Sequence, residues 1–345
     1  MANANIKIIA QKTNLSPGTV SIVLNGRGNE MRISQKTQKL VWEEAKLLGY
    51  TPNIYARRLR KQSEGISDAI IGILWPSLYS SELIVNFFDG IQNSILNDKL
   101  NVEVVFKPYQ YSEISKMEKV FKNQLFNGVI VVGASDSDVD YLYKINSSMP
   151  IVLFNRQNDK YCSVCIDNYN AGERVSGLLA ARGHKKVGVI GPNLLSRNFS
   201  MRKTGFLDGC QRNGITVLPE HNIQETLDAE GGNKSAQRLL MSESLPTALF
   251  LLVSNYGQYI YSALQNKGVR IPEDIEIIGY SDVVTNRILK PGMTVIDLPI
   301  QKMVKTCLQL ILDMINGYIQ DSHNVFEETY FIFRESCGGF PDTAT

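Results

Sequence analysis

Residues able to carry out covalent or acid–base chemistry are few and scattered in this 345-residue chain. His184, His221 and His323 are its only histidines, far apart in sequence, and no serine sits in a GxSxG elbow. No P-loop or HExxH stretch occurs, and GILWPS, after the first strand-like run, is not the glycine-rich turn that binds a dinucleotide. Cys162 and Cys165 form a single CxxC. Three residues apart on a strand, they point to opposite faces, so no zinc site is expected. His184, in RGHKK, reads as a structural or surface residue near a helix end. These absences argue against an enzyme and imply neither cofactor nor metal. The chemistry that is concentrated is cationic. Residues 1–62 hold eleven Lys and Arg against three Glu, a net +8 in a chain of net +2, so the rest carries about −6. A small basic head on a mildly acidic body is the asymmetry expected where one end meets a polyanion.

Something must hold that head and body in shape. With 43% hydrophobic and 20% charged residues the chain can build a real core in two or three domains, which excludes disordered and low-complexity classes. Its longest apolar runs, such as Ala248 to Val253, fall far short of the ~20 residues that a membrane helix needs. The start, MANANIKIIAQKTN, has no signal-peptide pattern, and five cysteines, an odd number, suit a reducing cytosol, so a cytoplasmic protein is expected.

The head reads as helices. Asn5 caps a first helix over IKIIAQKT, with Ile6, Ile9 and Ala10 on one face. Asn14 suits a left-handed turn. Ser16 caps a second helix, PGTVSIVLN, with Pro17 in its first position and Val20, Val23 and Leu24 packing on the first helix. The glycine-rich GRGNEMRI is a loop, after which Ser34 caps a third helix that turns Val41, Trp42, Ala45 and Leu48 inward and stops at Gly49. Two short helices joined by a tight turn form a helix-turn-helix unit. Thr51 and Pro52 then open a helix over NIYARRLR, too short to be stable alone in water, and KQSEGISDA behind it is a linker.

The runs NIKIIAQKTNLSPGTVSIVLNG and RISQKTQKLVWEEAKLLGYTPNIYARRLR resemble the DNA-binding head of the lactose-repressor (LacI/GalR-type) family of bacterial transcription regulators. The chain departs from that family in a longer loop after Asn25, in Ile8 where an acidic residue is usual, and in Asn14 where glycine is common. The resemblance implies that the second helix enters the major groove and brings Ser16, Pro17, Gly18, Thr19, Ser21, Ile22 and Asn25 to DNA. Pro17 and Gly18 offer almost no hydrogen bonding, so readout rests on close backbone approach and on Ser21 or Ile22 meeting a thymine methyl. Thr19, Asn25, Arg27 and Arg32 fit phosphates, which fix register without reading sequence. The resemblance also makes residues 53–60 a hinge helix that forms on the operator against its twin from a second subunit. Asn53 meets the DNA there, Arg57 and Arg60 neutralise phosphates, and Leu59 wedges between bases from the minor groove.

From Ala69 onward, strand-like runs alternate with amphipathic helices: 69–75, 102–107, 128–133, 151–155, 163–167, 187–191, 247–253 and 275–280. Such alternation argues for parallel doubly wound sheets, whose ligands sit beyond the carboxyl ends of the strands. The segments IGILWP, IDNYNAG, RGHKKVGVIGP, RKTGF, GVRIPEDIEIIGYSD and RES resemble the periplasmic-binding-protein-like (type I) effector domain of the same family. The resemblance implies an all-α head with hinge helix over residues 1–62, a linker over 63–68, and an α/β effector domain of two doubly wound subdomains over 69–338. The chain is expected to cross between those subdomains near Asp167, Asp297 and Asp321.

The cleft between them would hold a small effector. In sugar-responsive relatives an asparagine follows PTA in its strand, and an aspartate opens the pair after GY or GF; Val253 and Ser281 stand there here, with Asp282 second. The polar residues left to meet an effector are Ser80, Ser81, Asn155, Arg156, Asp167, Ser196, Arg197, Asn198, Ser200 and Ser281, and Arg197 could clamp a carboxylate or phosphate. Trp75 and Tyr79, at a strand end, fit core better than ring stacking. The expected function is a sequence-specific DNA-binding transcription regulator, a repressor. It would be a homodimer on a palindromic double-stranded operator, through apolar stripes such as LIVNFFDGI and MVKTCLQLILDMI, and modulated by a sugar-like or sugar-acid effector. The alternatives are a cytosolic solute-binding protein, or a regulator controlled by a protein corepressor.

Overall fold

The structure, a computed structural model, describes residues 6–24, 28–29, 31–48, 69–77, 81–122, 125–145, 147–194 and 196–341. The expected hinge helix and linker lie outside these residues, as do Asn25, Arg27, Asn53, Arg57, Leu59, Arg60, Tyr79 and Ser80. The chain divides into two compact units, Met1–Ala69 and Ile70–Thr345. Among the described residues no helix is long and apolar enough to cross a membrane.

In the first unit three helices, α1 (Ile6–Thr13), α2 (Pro17–Leu24) and α3 (Gln35–Leu47), close on a small core of Ile9, Ala10, Val20, Val23, Leu24, Val41 and Ala45. Asn14 makes the turn between α1 and α2 with φ of 55°, the left-handed conformation that asparagine tolerates. Ser16 Oγ accepts the Thr19 N–H at 3.0 Å and Ser34 Oγ that of Thr37 at 3.2 Å, which caps α2 and α3. Trp42 does not turn inward as its sequence position suggests; it is 44% exposed. Val41, Ala45 and Leu48 already fill the inner stripe of α3 at helical spacing, and Trp42 falls about 100° round the helix from it.

The second unit holds two six-stranded sheets. The first takes the order β11 (Asn324–Glu327), β5 (Cys162–Ile166), β4 (Ile151–Phe154), β3 (Gly128–Val132), β1 (Ala69–Pro76), β2 (Val102–Tyr109). The second takes the order β12 (Tyr330–Ile332), β10 (Thr294–Asp297), β9 (Glu276–Tyr280), β8 (Ala248–Leu251), β6 (Lys186–Pro192), β7 (Thr216–Glu225). The central strands are continuous apolar runs, buried on both faces and paired in parallel, as helix-covered sheets require. Strand β12 runs antiparallel to β10. Strands β7, β10, β11 and β12 were not legible as strands: β7 carries Pro219 and an edge position, and the other three are short.

The helices are α4 (Ser81–Leu96), α5 (Glu118–Lys122), α6 (Asp136–Lys144), α7 (Asn168–Ala181), α8 (Arg197–Arg212), α9 (Ala229–Leu240), α10 (Gly257–Asn266), α11 (Val284–Ile288) and α12 (Ile300–Ile315). The chain passes from the first sheet to the second between Ile166 and Asn168, and returns between Asp297 and Ile300. It crosses a third time between Glu327 and Tyr330, later than Asp321, because β11 first adds an edge strand to the first sheet. The stripe of α12 is core rather than a pairing surface: Met303, Val304, Cys307, Leu308 and Ile311 are fully buried, and the helix packs on α4 and on β3 to β5.

Candidate functional site

Among the described residues of the head, the starts of α2 and α3 are both exposed, and the start of α2 is the one the resemblance points to DNA. Ser16, Pro17 and Gly18 are exposed at the start of α2, with Thr19, Ser21 and Ile22 half-buried behind them, while Val20, Val23 and Leu24 anchor the helix on its inner face. The Ser16 hydroxyl is shared between the Thr19 N–H and the Thr19 hydroxyl, 2.9 Å away, which fixes the first turn as a rigid projecting edge. Such an edge, small and with little side-chain bulk, lets backbone approach a groove.

In the second unit the carboxyl ends of the two sheets face each other across an open recess. Its walls are mainly apolar: Leu83, Val132 and Phe154 from one side, Phe199, Leu252, Val253 and Tyr280 from the other. Of the sequence-predicted residues, Asn155, Ser196, Asn198 and Ser281 line it. Asn155 (φ 55°) and Ser281 (φ 71°) follow β4 and β9 directly, in a left-handed conformation unusual for residues other than glycine. Backbone bonds hold both there: Asn155 N–H to Val164 O at 2.7 Å, and Ser281 N–H to Ile296 O at 2.9 Å.

Among the described residues, hydrogen bonds span the subdomains. Asn198 Nδ2 donates to the Asn155 carbonyl at 2.8 Å, and Asn86 Nδ2 to the Asp282 carbonyl at 3.5 Å. Tyr111, from the first subdomain, also sets its hydroxyl against Ser196, and burial followed by the Asp138 carboxylate raises its pKa. Arg156, Asp167 and Arg197 line a second recess of about 790 Å³ beyond the Asn155–Asn198 bond. Ser81 opens α4. Ser200 lines neither recess: Asn198, Phe199 and Arg202 occupy the inward face of α8, which leaves Ser200 exposed on the other side.

Sequence reasoning missed the most buried cation of the site. Arg202 is 2% exposed, donates to Leu252 O at 2.9 Å and Asn168 Oδ1 at 2.7 Å, and lays its guanidinium over the Tyr280 ring. Burial pushes the Tyr280 hydroxyl up to about 12. The signal was present: Phe199, Arg202 and Phe206 share a helical stripe, and an arginine on an apolar stripe is a buried arginine. Ser254 and Asn255 were missed too; Ser254 Oγ lies 2.8 Å from the carbonyls of both Tyr280 and Ser281 and pins the turn that carries them. Asp282 turns away from the first recess, toward Arg287 and Arg334. Trp75 packs edge-to-face on Phe87, centroids 5.4 Å apart, as core.

The model of the periplasmic binding protein-like domain matches residues 177–337. A solved LacI family transcription regulator from Clostridium acetobutylicum is 31% identical with a TM-score of 0.74, covering 77% of this chain and 100% of that one. The chain belongs to the LacI family. The probable HTH-type transcriptional repressor ExuR of Bacillus subtilis (strain 168) is 27% identical over 339 residues, 96% of this chain and 97% of that protein. The lac repressor dimer, solved with operator and the anti-inducer ONPF, shares the fold at 21% identity and TM-score 0.69, over 97% of this chain and 99% of that one. This LacI-family protein is a DNA-binding transcription regulator, and the solute-binding alternative falls away.

Proposed function

We propose that the protein is a repressor that grips a near-palindromic operator as a homodimer and changes its grip when a small sugar-like or sugar-acid effector enters the cleft. The observation that carries this reading is the recess closed from both sheets and spanned by the Asn198–Asn155 and Asn86–Asp282 bonds. A ligand there meets different contacts in an open and a closed arrangement, and that difference in affinity is what can move the equilibrium. Val253 and Ser281 leave the recess with fewer forked polar contacts than in sugar-responsive relatives, so an effector with an apolar ring face fits its walls. In the head, the exposed start of α2 reads bases. Leu59 is the proposed minor-groove wedge, with Arg57 and Arg60 on phosphates beside it and Asn53 also at the DNA.

The test is a thermal-shift screen of neutral sugars, sugar acids and sugar phosphates, with each hit repeated on operator binding. A ligand at a hundred times its Kd raises the melting temperature by about 5 °C. The same ligand changes operator affinity over the same concentration range. A panel that stabilises nothing removes the metabolite and leaves control by a protein corepressor.

Pairing has its own surface. Val85 and Phe88 on α4 are 55% and 54% exposed, and Val284 and Ile288 on α11 are 66% and 68% exposed. Asn86 lies between the first two and reaches Asp282, two residues before Val284, so both apolar pairs flank one cross-cleft bond. A second copy covering them would feel cleft closure directly. Ile288→Asp is expected to weaken the dimer at least tenfold by sedimentation, about 1.4 kcal/mol, and to loosen operator binding in step. A variant that sediments as the parent does would move the interface elsewhere.

A further inference from the structure

The second recess has a different character from the first. It is lined by Arg156 and Arg197, and the one acid among its described lining residues is Asp167, whose Oδ1 is occupied at 2.9 Å by the Asn170 N–H as the cap of α7. Arg156 is 7% exposed. One guanidinium nitrogen, Nη2, pairs with Asp136, a side chain 80% exposed to solvent, while its Nε is buried without a partner among the described residues. Arg197 is exposed, makes no hydrogen bond or ion pair among the described residues, and opens α8. The N-cap of that 16-residue helix, Ser196, makes no side-chain cap, so the first-turn N–H groups and the positive end of the helix dipole are unfilled by it.

We propose that this recess is an oxyanion receptor: Arg156 and Arg197, at the N-terminus of α8, hold the carboxylate or phosphate of an acidic ligand. Guanidinium forks match both groups in a two-point contact. Asn155 and Asn198, joined by their hydrogen bond, line both this recess and the effector recess. An acidic effector with its ring in the first recess would place its acid group in the second and supplant that bond. A free inorganic anion would bind beside it instead. The placement rests on the effector reading, but the anion chemistry does not.

Inorganic phosphate is the probe, with potassium chloride at equal ionic strength as reference. For a Kd of about 1 mM, about 10 mM phosphate raises the wild-type melting temperature by about 3 °C over the chloride reference. Arg197→Ala, a change at an exposed position, melts in chloride like the wild type and loses the phosphate increment. Arg156→Gln loses it as well; if that variant does not fold, Arg197→Ala alone decides. A wild type that phosphate stabilises no more than chloride, or an Arg197→Ala variant that keeps the full increment, overturns the proposal. A hit from the effector screen that competes with phosphate marks the anion as the effector's own acid group. Additive stabilisation marks a separate anion. A screen without hits sinks the effector reading while the phosphate result stands by itself.

Discussion

Gly205→Ala is expected to destabilise the protein by about 3 kcal/mol, whereas Gly177→Ala leaves it unchanged or up to about 1 kcal/mol more stable. Both glycines sit inside helices, where alanine is intrinsically favoured, so the difference in sign comes from what each one faces. A Cβ on Gly205 of α8 would lie 2.7 Å from the carbonyl carbon of Tyr169 and closer still to its oxygen, and one on Gly172 of α7 would lie 2.7 Å from the Phe206 nitrogen. The two helices touch backbone to backbone there, and no rotamer change makes room for a methyl group. A Cβ on Gly177 meets nothing within 4 Å. Equilibrium denaturation in urea followed by circular dichroism reads the difference as a shift in midpoint at constant slope. Similar midpoints for the two variants would show that the α7–α8 crossing yields more easily than its geometry implies. The functional consequence follows from position. The crossing sets the first turns of α7 and α8, which carry Asn168, Arg197, Asn198 and Arg202 to the cleft, so a Gly205→Ala protein that still folds responds poorly to effector.

These close contacts explain which parts of the molecule were legible in the sequence. Buried β-branched runs such as Gly128–Val132 and Ile151–Phe154 announce themselves, because burial on both faces leaves no room for polar residues. The caps at Ser16 and Ser34 are equally plain, since one hydroxyl and one N–H decide them locally. What failed was decided at a distance. Trp42 is apolar yet exposed because its neighbours on α3 already filled the inner stripe. Arg202 is charged yet buried because Leu252, Asn168 and Tyr280 converge on it from three other elements. Ser200 resembled a ligand contact in sequence, and the phase of α8 alone put it outside. Strands β11 and β12 escaped notice because each is an edge strand whose pairing, rather than its composition, defines it.

Asp282→Ala should lower stability by about 3–5 kcal/mol, as removal of one member of a buried ion pair does. Asp282 is 5% exposed and takes Arg287 at 2.7 Å and Arg334 at 2.9 Å, while its N–H donates to Asp297 Oδ1 at 2.8 Å. Arg287 reaches water, with 65% of its side chain exposed, and tolerates the loss. Arg334 is only 16% exposed and is left as a largely buried cation bonded to the Met293 carbonyl alone among neutral acceptors of its side chain. The opposite change, Arg334→Met, leaves the Asp282 carboxylate only the largely exposed Arg287, beside the carboxylate of Asp297, whose pKa burial already raises. The double variant Asp282→Leu/Arg334→Met removes both charges together and should be less destabilised than the sum of the singles, because most of each single loss is an unpaired ion and not a lost attraction. Additive losses would mean that the two residues act independently and that the pair does not hold the turn. The turn matters because Ser281 faces the effector recess from one side of it and the Asp282 carbonyl takes Asn86 of the other subdomain from the next residue. A salt bridge anchored behind the recess therefore fixes the lip that an effector and the opposite subdomain both touch, and loosening it should blunt the operator response even in protein that remains folded.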